Sequence, residues 1–154
     1  MTTAEQGARP GVGEVAEVVL VGTAVAQGLL IGAWLALWPE WALREGGFPA
    51  APTFFVRWAG VLHLVLAGGY ALDFLRFRRV TLLVLAKGAT AFFLAAAWAS
   101  EGLPVLMVAA VFAEAVLAAS AALVHPSADR SRRARARLRL VTPAPTQVRP
   151  AGRR

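Results

Sequence analysis

The sequence predicts an all-α protein, a four-transmembrane-helix bundle with both termini cytoplasmic and a disordered basic C-terminal tail. Three observations predict it. The chain is 58% hydrophobic and 16% charged over 154 residues, whereas ordinary soluble domains are about half apolar and about a quarter charged. Four apolar runs each approach the roughly 20 residues needed to cross a hydrocarbon layer about 30 Å thick. The net charge of +7 is confined to one end: residues 126–154 hold nine arginines and one aspartate, which leaves the first 125 residues at −1. A strongly basic chain usually suggests a nucleic-acid partner, but here the basicity belongs to a tail and the body is built for lipid. Without cysteine there is no disulfide frame, thiolate nucleophile or cysteine metal site.

Residues 1–13 are small, polar and broken by Gly and Pro, and read as disordered. They lack the cationic start and small-residue cleavage site of a secretory signal, since Arg9 is offset by Glu5, Glu14 and Glu17. The membrane domain occupies 14–125. Its first helix runs over 14–38, with no charge from Val18 to Trp38, and Pro39 ends it. The connector to Thr53 carries three prolines and the Gly46, Gly47 pair, so it reads as irregular, with a short interfacial turn near Trp41 to Arg44.

The second helix is expected over 54–75 and the third over 80–99, joined by a turn bearing Arg76, Arg78 and Arg79. Ser100, Glu101 and Gly102 turn the chain into a fourth helix over 103–124, whose first turn tolerates Pro104 because the missing N–H has no helical partner there. His125 and Pro126 close it. Residues 126–154 then form an Arg/Pro-rich cytoplasmic tail with few large apolar residues.

Orientation follows from the arginines. Arg76, Arg78 and Arg79 fall on the same side as the arginines after the fourth helix, and basic residues at helix ends remain cytoplasmic. The opposite connectors, with Glu40, Arg44, Glu45 and Glu101, are net acidic. Trp34, Trp38, Trp41, Trp58 and Trp98 all gather at that opposite side, where an indole sits well among headgroups. The expected location is therefore the cell's inner membrane, as a multi-pass protein.

Each span carries one strongly polar side chain at similar depth: Gln27, His63, Lys87 and Glu114. A charge at the bilayer centre costs about 2.5–3.5 kcal/mol on insertion scales, so these groups should face inward and pair. Lys87 with Glu114 is the natural ion pair, His63 and Gln27 completing its hydrogen bonds. The plainer reading is a polar clasp that fixes which helix faces which. The sharper one is a proton-handling or ligand site, with His63, Glu114 and Lys87 as catalytic candidates. Gln27, Tyr70 and Arg57 are the ligand-binding candidates. Tyr70 lies two turns beyond His63 on nearly the same face, and Arg57 at the outer end of its helix can snorkel or meet Glu40 or Glu45. One His and one Glu are too few ligands for a metal, and no cofactor is predicted.

Asp73 reads as a partner for Arg76 or Arg78. Gly28 and Gly32 form a GxxxG step, which serves dimerisation or close packing within one chain equally well, and Gly60, Gly68 and Gly69 fit the same pattern. Arg130, Arg132, Arg133, Arg135, Arg137 and Arg139, with Arg76, Arg78 and Arg79, are assigned to the membrane surface, where each adds about 1 kcal/mol of attraction to anionic headgroups. Nucleic acid is not expected, because no aromatic residues interleave with these arginines to stack on bases.

The four-helix layout, the length, and the run of Arg57, Gly60, Gly68 and Tyr70, a basic turn and Lys87 resemble the small bacterial membrane proteins grouped loosely as DoxX-like. The likeness covers about Trp34 to Phe93. It implies a bundle that accompanies a partner, since some members are implicated as membrane subunits of quinone-linked oxidoreductases. The chain departs from a self-sufficient electron carrier in having no pair of membrane histidines for haem and no nucleotide motif. Small multidrug exporters share its size, but their acidic residue belongs in the first helix, whereas Glu114 is in the last. Two functions remain: a non-catalytic accessory or scaffold subunit, docked to a membrane protein partner or a second copy, or a small enzyme or carrier for a lipophilic, quinone or isoprenoid-like, substrate.

Overall fold

A computed structural model of the chain describes residues 10–49, 52–102 and 104–141, and within them says nothing of the side chains at 101, 106 and 138–141. Among the described residues all regular structure is helical: α1 (Val12–Leu37), α2 (Pro39–Glu45), α3 (Thr53–Phe77), α4 (Thr81–Glu101) and α5 (Val105–Val141). Four of these, all but α2, are long and apolar enough to cross a membrane. Around the bundle the order is α3, α1, α5, α4. The α3/α4 seam is the least packed, although a short turn joins these two helices.

The packing inverts the soluble pattern. Small residues fill the interior, with Ala24, Ala67 and Ala121 almost wholly buried, while Leu30, Phe92, Phe93 and Leu123 are largely exposed. In lipid the large apolar side chains gain nothing by leaving the surface, and small ones let backbones approach for dispersion contact. Gly28 faces Ala67, where an added Cβ would come within 2.9 Å of that residue's own Cβ. Gly32 and Gly60 meet across the same contact, a Cβ on Gly60 falling 2.7 Å from the Gly32 carbonyl oxygen. The GxxxG step is thus consumed by α1–α3 packing within the chain. Nearer the end carrying residue 10, Val21, Ala24, Tyr70, Phe74, Val80, Leu83 and Ala121 form the principal core cluster.

The turn between α3 and α4 closes through Arg78, which takes the left-handed conformation at φ 53° and lets its N–H reach the Phe74 carbonyl at 3.0 Å. Asp73 accepts the Leu82 N–H at 3.2 Å, so it satisfies an orphan donor in the first turn of α4 and makes no ion pair with Arg76 or Arg78.

Two boundaries differ from the sequence reading. α1 begins at Val12, two residues early; of the segment expected to be disordered, residues 1–9 lie outside the described residues. More consequentially, α5 runs on through Pro126 to Val141, so residues 126–141 are helix rather than disordered tail, and 142–154 lie outside the described residues. Proline removes a single N–H, and docking on α1 outweighs that loss. Ala128 is fully buried, and a Cβ on Gly13 would lie 2.7 Å from the Ser127 hydroxyl, which shows how closely the two helices run. Ser127 donates to the Val124 carbonyl at 2.8 Å and Asp129 pairs with Arg133 one turn on at 2.7 Å, both supporting the extension.

Candidate functional site

Two polar clusters lie along the bundle. The first is the mid-membrane layer. Lys87 of α4 places Nζ 2.8 Å from Glu114 Oε1 of α5, and the pair is nearly sealed, at 4% and 5% exposure. Gln27 of α1 bridges them: its Oε1 accepts from Lys87 Nζ at 3.0 Å and its Nε2 donates to Glu114 Oε1 at 3.0 Å. One amide thereby serves both ends of the ion pair and ties α1, α4 and α5 at one level. Glu114 Oε2 is buried with no hydrogen-bond partner. Tyr70 is buried in the neighbouring core cluster.

His63 does not join this layer. Its Nδ1 donates to the Ala59 carbonyl of its own helix at 2.8 Å, which fixes the hydrogen on Nδ1 and leaves Nε2 as an acceptor at a half-buried position. The acceptor one turn back is available without ordering a second helix, and Gln27 already bonds both members of the ion pair. Arg57 reaches the backbone of α1. Its Nη1 donates to the Ala36 carbonyl at 2.9 Å, satisfying an orphan acceptor in the last turn of α1 in place of Glu40 or Glu45.

The second cluster lies at the end carrying residue 10, and sequence reasoning missed it. Glu17, 2% exposed, accepts from His125 Nδ1 at 2.5 Å on one oxygen and from Arg132 Nη1 on the other. Glu14 forms an ion pair with Arg135. Arg132 and Arg135, assigned to the membrane surface from sequence, are therefore drawn onto α1. Arg130, Arg133 and Arg137 stay exposed, and the Arg139 side chain lies outside the described residues. A signal for this was present: Glu14 and Glu17 stand three apart, as do Arg132 and Arg135, and two antiparallel helices bring such pairs into register.

This cluster locks the α5 extension. Arg132→Met leaves a buried carboxylate held by His125 alone and costs about 1.5–3 kcal/mol, the worth of a hydrogen bond to a charged group. The expected readout is faster trypsin cleavage within 130–137 at an almost unchanged helical signal.

Two open cavities flank the bundle, and neither is lined by Gln27, Lys87 or Glu114. One, of about 520 Å³, opens beside the second cluster. The other, of about 530 Å³, lies at the tryptophan end between Trp34, Trp38, Trp41 and Glu45, where Trp34 and Trp41 meet edge to face at 5.4 Å. Among the described residues no group of three or more His, Asp or Glu is placed to hold a metal ion. No family model, curated protein or solved structure matches this chain.

Proposed function

We propose that the chain is a non-catalytic accessory or scaffold subunit of an inner-membrane complex, as the DoxX-like resemblance implies, with both termini cytoplasmic, as the distribution of its arginines implies. The observation that supports it is the mid-membrane layer: Lys87, Glu114 and Gln27 satisfy one another in a nearly sealed contact away from both cavities. Such a layer specifies which helices meet and leaves the exposed faces of Phe92, Phe93 and Leu123 for lipid or a partner. Mild-detergent purification of the tagged chain from its native membrane is expected to bring down a membrane protein in fixed stoichiometry. Recovery of the chain alone, after crosslinking in the membrane, overturns the subunit reading.

One observation favours the second reading, a small enzyme or carrier for a lipophilic substrate. Glu114 Oε2 is a buried acceptor without a donor, and a hydroxyl-bearing quinol-like or isoprenoid-like molecule entering between helices would supply one. Under that reading Glu114→Gln abolishes binding of a ubiquinol analogue by the folded protein. Under the subunit reading it leaves the weak, nonspecific partitioning of such a probe unchanged.

A further inference from the structure

The cavity beside the second cluster is walled on three sides by different elements: the start of α1, the end of α3 with its turn, and the α5 extension. Its charged lining consists of Arg78, Arg132 and Arg135 against Glu14 and Glu17, which leaves one positive charge in excess. Glu17 is matched by Arg132 and Glu14 by Arg135. Arg78 has no carboxylate among the described residues; its guanidinium lies over the Phe74 ring at 5.3 Å, exposed at the cavity wall. Arg132 uses half of its fork on Glu17, and its Nη2 is buried without a hydrogen bond, 4.0 Å from Asp129.

The rest of the wall is apolar. Val15, Val18 and Val19 line the cavity and are each about half exposed on the outer face of α1. A cationic niche of this kind thus continues directly into a surface suited to hydrocarbon.

We propose that this cavity binds the headgroup phosphate of an anionic phospholipid. A phosphodiester carries one negative charge, equal to the excess on the wall, and presents the paired oxygens that a guanidinium fork recognises. Arg78 supplies the uncompensated charge, Arg132 and Arg135 the guanidinium groups that flank it on the wall, and the valine face of α1 lies where the acyl chains run down into the bilayer. Free phosphate satisfies the arginines but makes no use of that face, so the occupant is a lipid. This site differs from the diffuse attraction of a polybasic tail, because it depends on particular arginines held by the fold.

The test uses the full chain in neutral detergent, with solubilised phosphatidylglycerol, phosphatidylcholine or inorganic phosphate as probes, read by thermal unfolding and native mass spectrometry. Phosphatidylglycerol is expected to raise the unfolding temperature by several degrees and to remain bound one to one. Arg78→Asn removes the charge while keeping a residue that accepts the left-handed turn, and is expected to weaken the effect at least tenfold. Arg79→Gln, in the same turn but outside the cavity wall, is expected to retain it. Should Arg78→Asn not fold, Val18→Trp keeps every charge, fills the cavity, and is expected to abolish one-to-one binding. Equal losses in Arg78→Asn and Arg79→Gln overturn the proposal in favour of diffuse attraction. Equal stabilisation by phosphatidylcholine, or by inorganic phosphate at the same concentration, overturns it as well.

Discussion

Lys87→Met lowers the stability of the purified protein by about 3–5 kcal/mol, the cost of stranding one member of a buried ion pair. Glu114 is 5% exposed, and with Lys87 gone only the Gln27 amide remains to hold its charge. Glu114→Gln strands the ammonium instead and is expected to be comparably harmful. The double variant Lys87→Met, Glu114→Gln recovers most of the loss, because no buried charge is left and Gln27 can still bond the new amide. Thermal unfolding of the four proteins in one detergent checks this. Recovery in the double variant marks the layer as a clasp. A double variant no better than either single shows that the charges are required for something other than each other.

Gly60→Val is the second large effect, roughly 3 kcal/mol of overpacking or more. Even the first added carbon would sit 2.5 Å from the Ala36 backbone nitrogen and 2.7 Å from the Gly32 carbonyl oxygen. Backbone cannot swing aside as a flexible side chain can, so α1 and α3 must separate and the Gly28–Ala67 contact opens with them. Gly68, one helical face away, has nothing within 4 Å of an added Cβ. Gly68→Ala is therefore expected to raise stability, by up to about 1 kcal/mol, through the smaller entropy of its unfolded chain. Unfolding midpoints with opposite signs for the two glycines are the check, and equal losses at both contradict the packing assigned to α1 and α3.

Much of this fold was legible in the sequence because lipid is a strict solvent. An uncharged stretch such as Val18 to Trp38 has few alternatives to a spanning helix, since unpaired backbone groups are too costly in hydrocarbon. Lys87 and Glu114 were legible as a pair because two opposite charges at equal depth have nowhere else to go. His63 was misplaced for a related reason: depth along a helix does not say which of two acceptors a side chain takes, and the Ala59 carbonyl is the local one.

The α5 extension was illegible because Pro126 and a run of arginines look like an ending when read along one strand of sequence. Its stability comes from Glu14 and Glu17, more than a hundred residues away in the chain. Only the antiparallel register of α1 and α5 makes that pairing local. The same long-range contact assembled the cavity wall, so no motif for it exists in any contiguous stretch.

An unbroken α5 also changes what the basic segment does mechanically. Sixteen residues of helix, 126–141, rise about 24 Å at 1.5 Å per residue, and the carboxylates of α1 brace the lower half like a bracket on a mast. A floppy tether would let its far end sweep a hemisphere above the bilayer. A braced helix instead leaves the bundle in one direction, set by the Glu17–Arg132 and Glu14–Arg135 pairs.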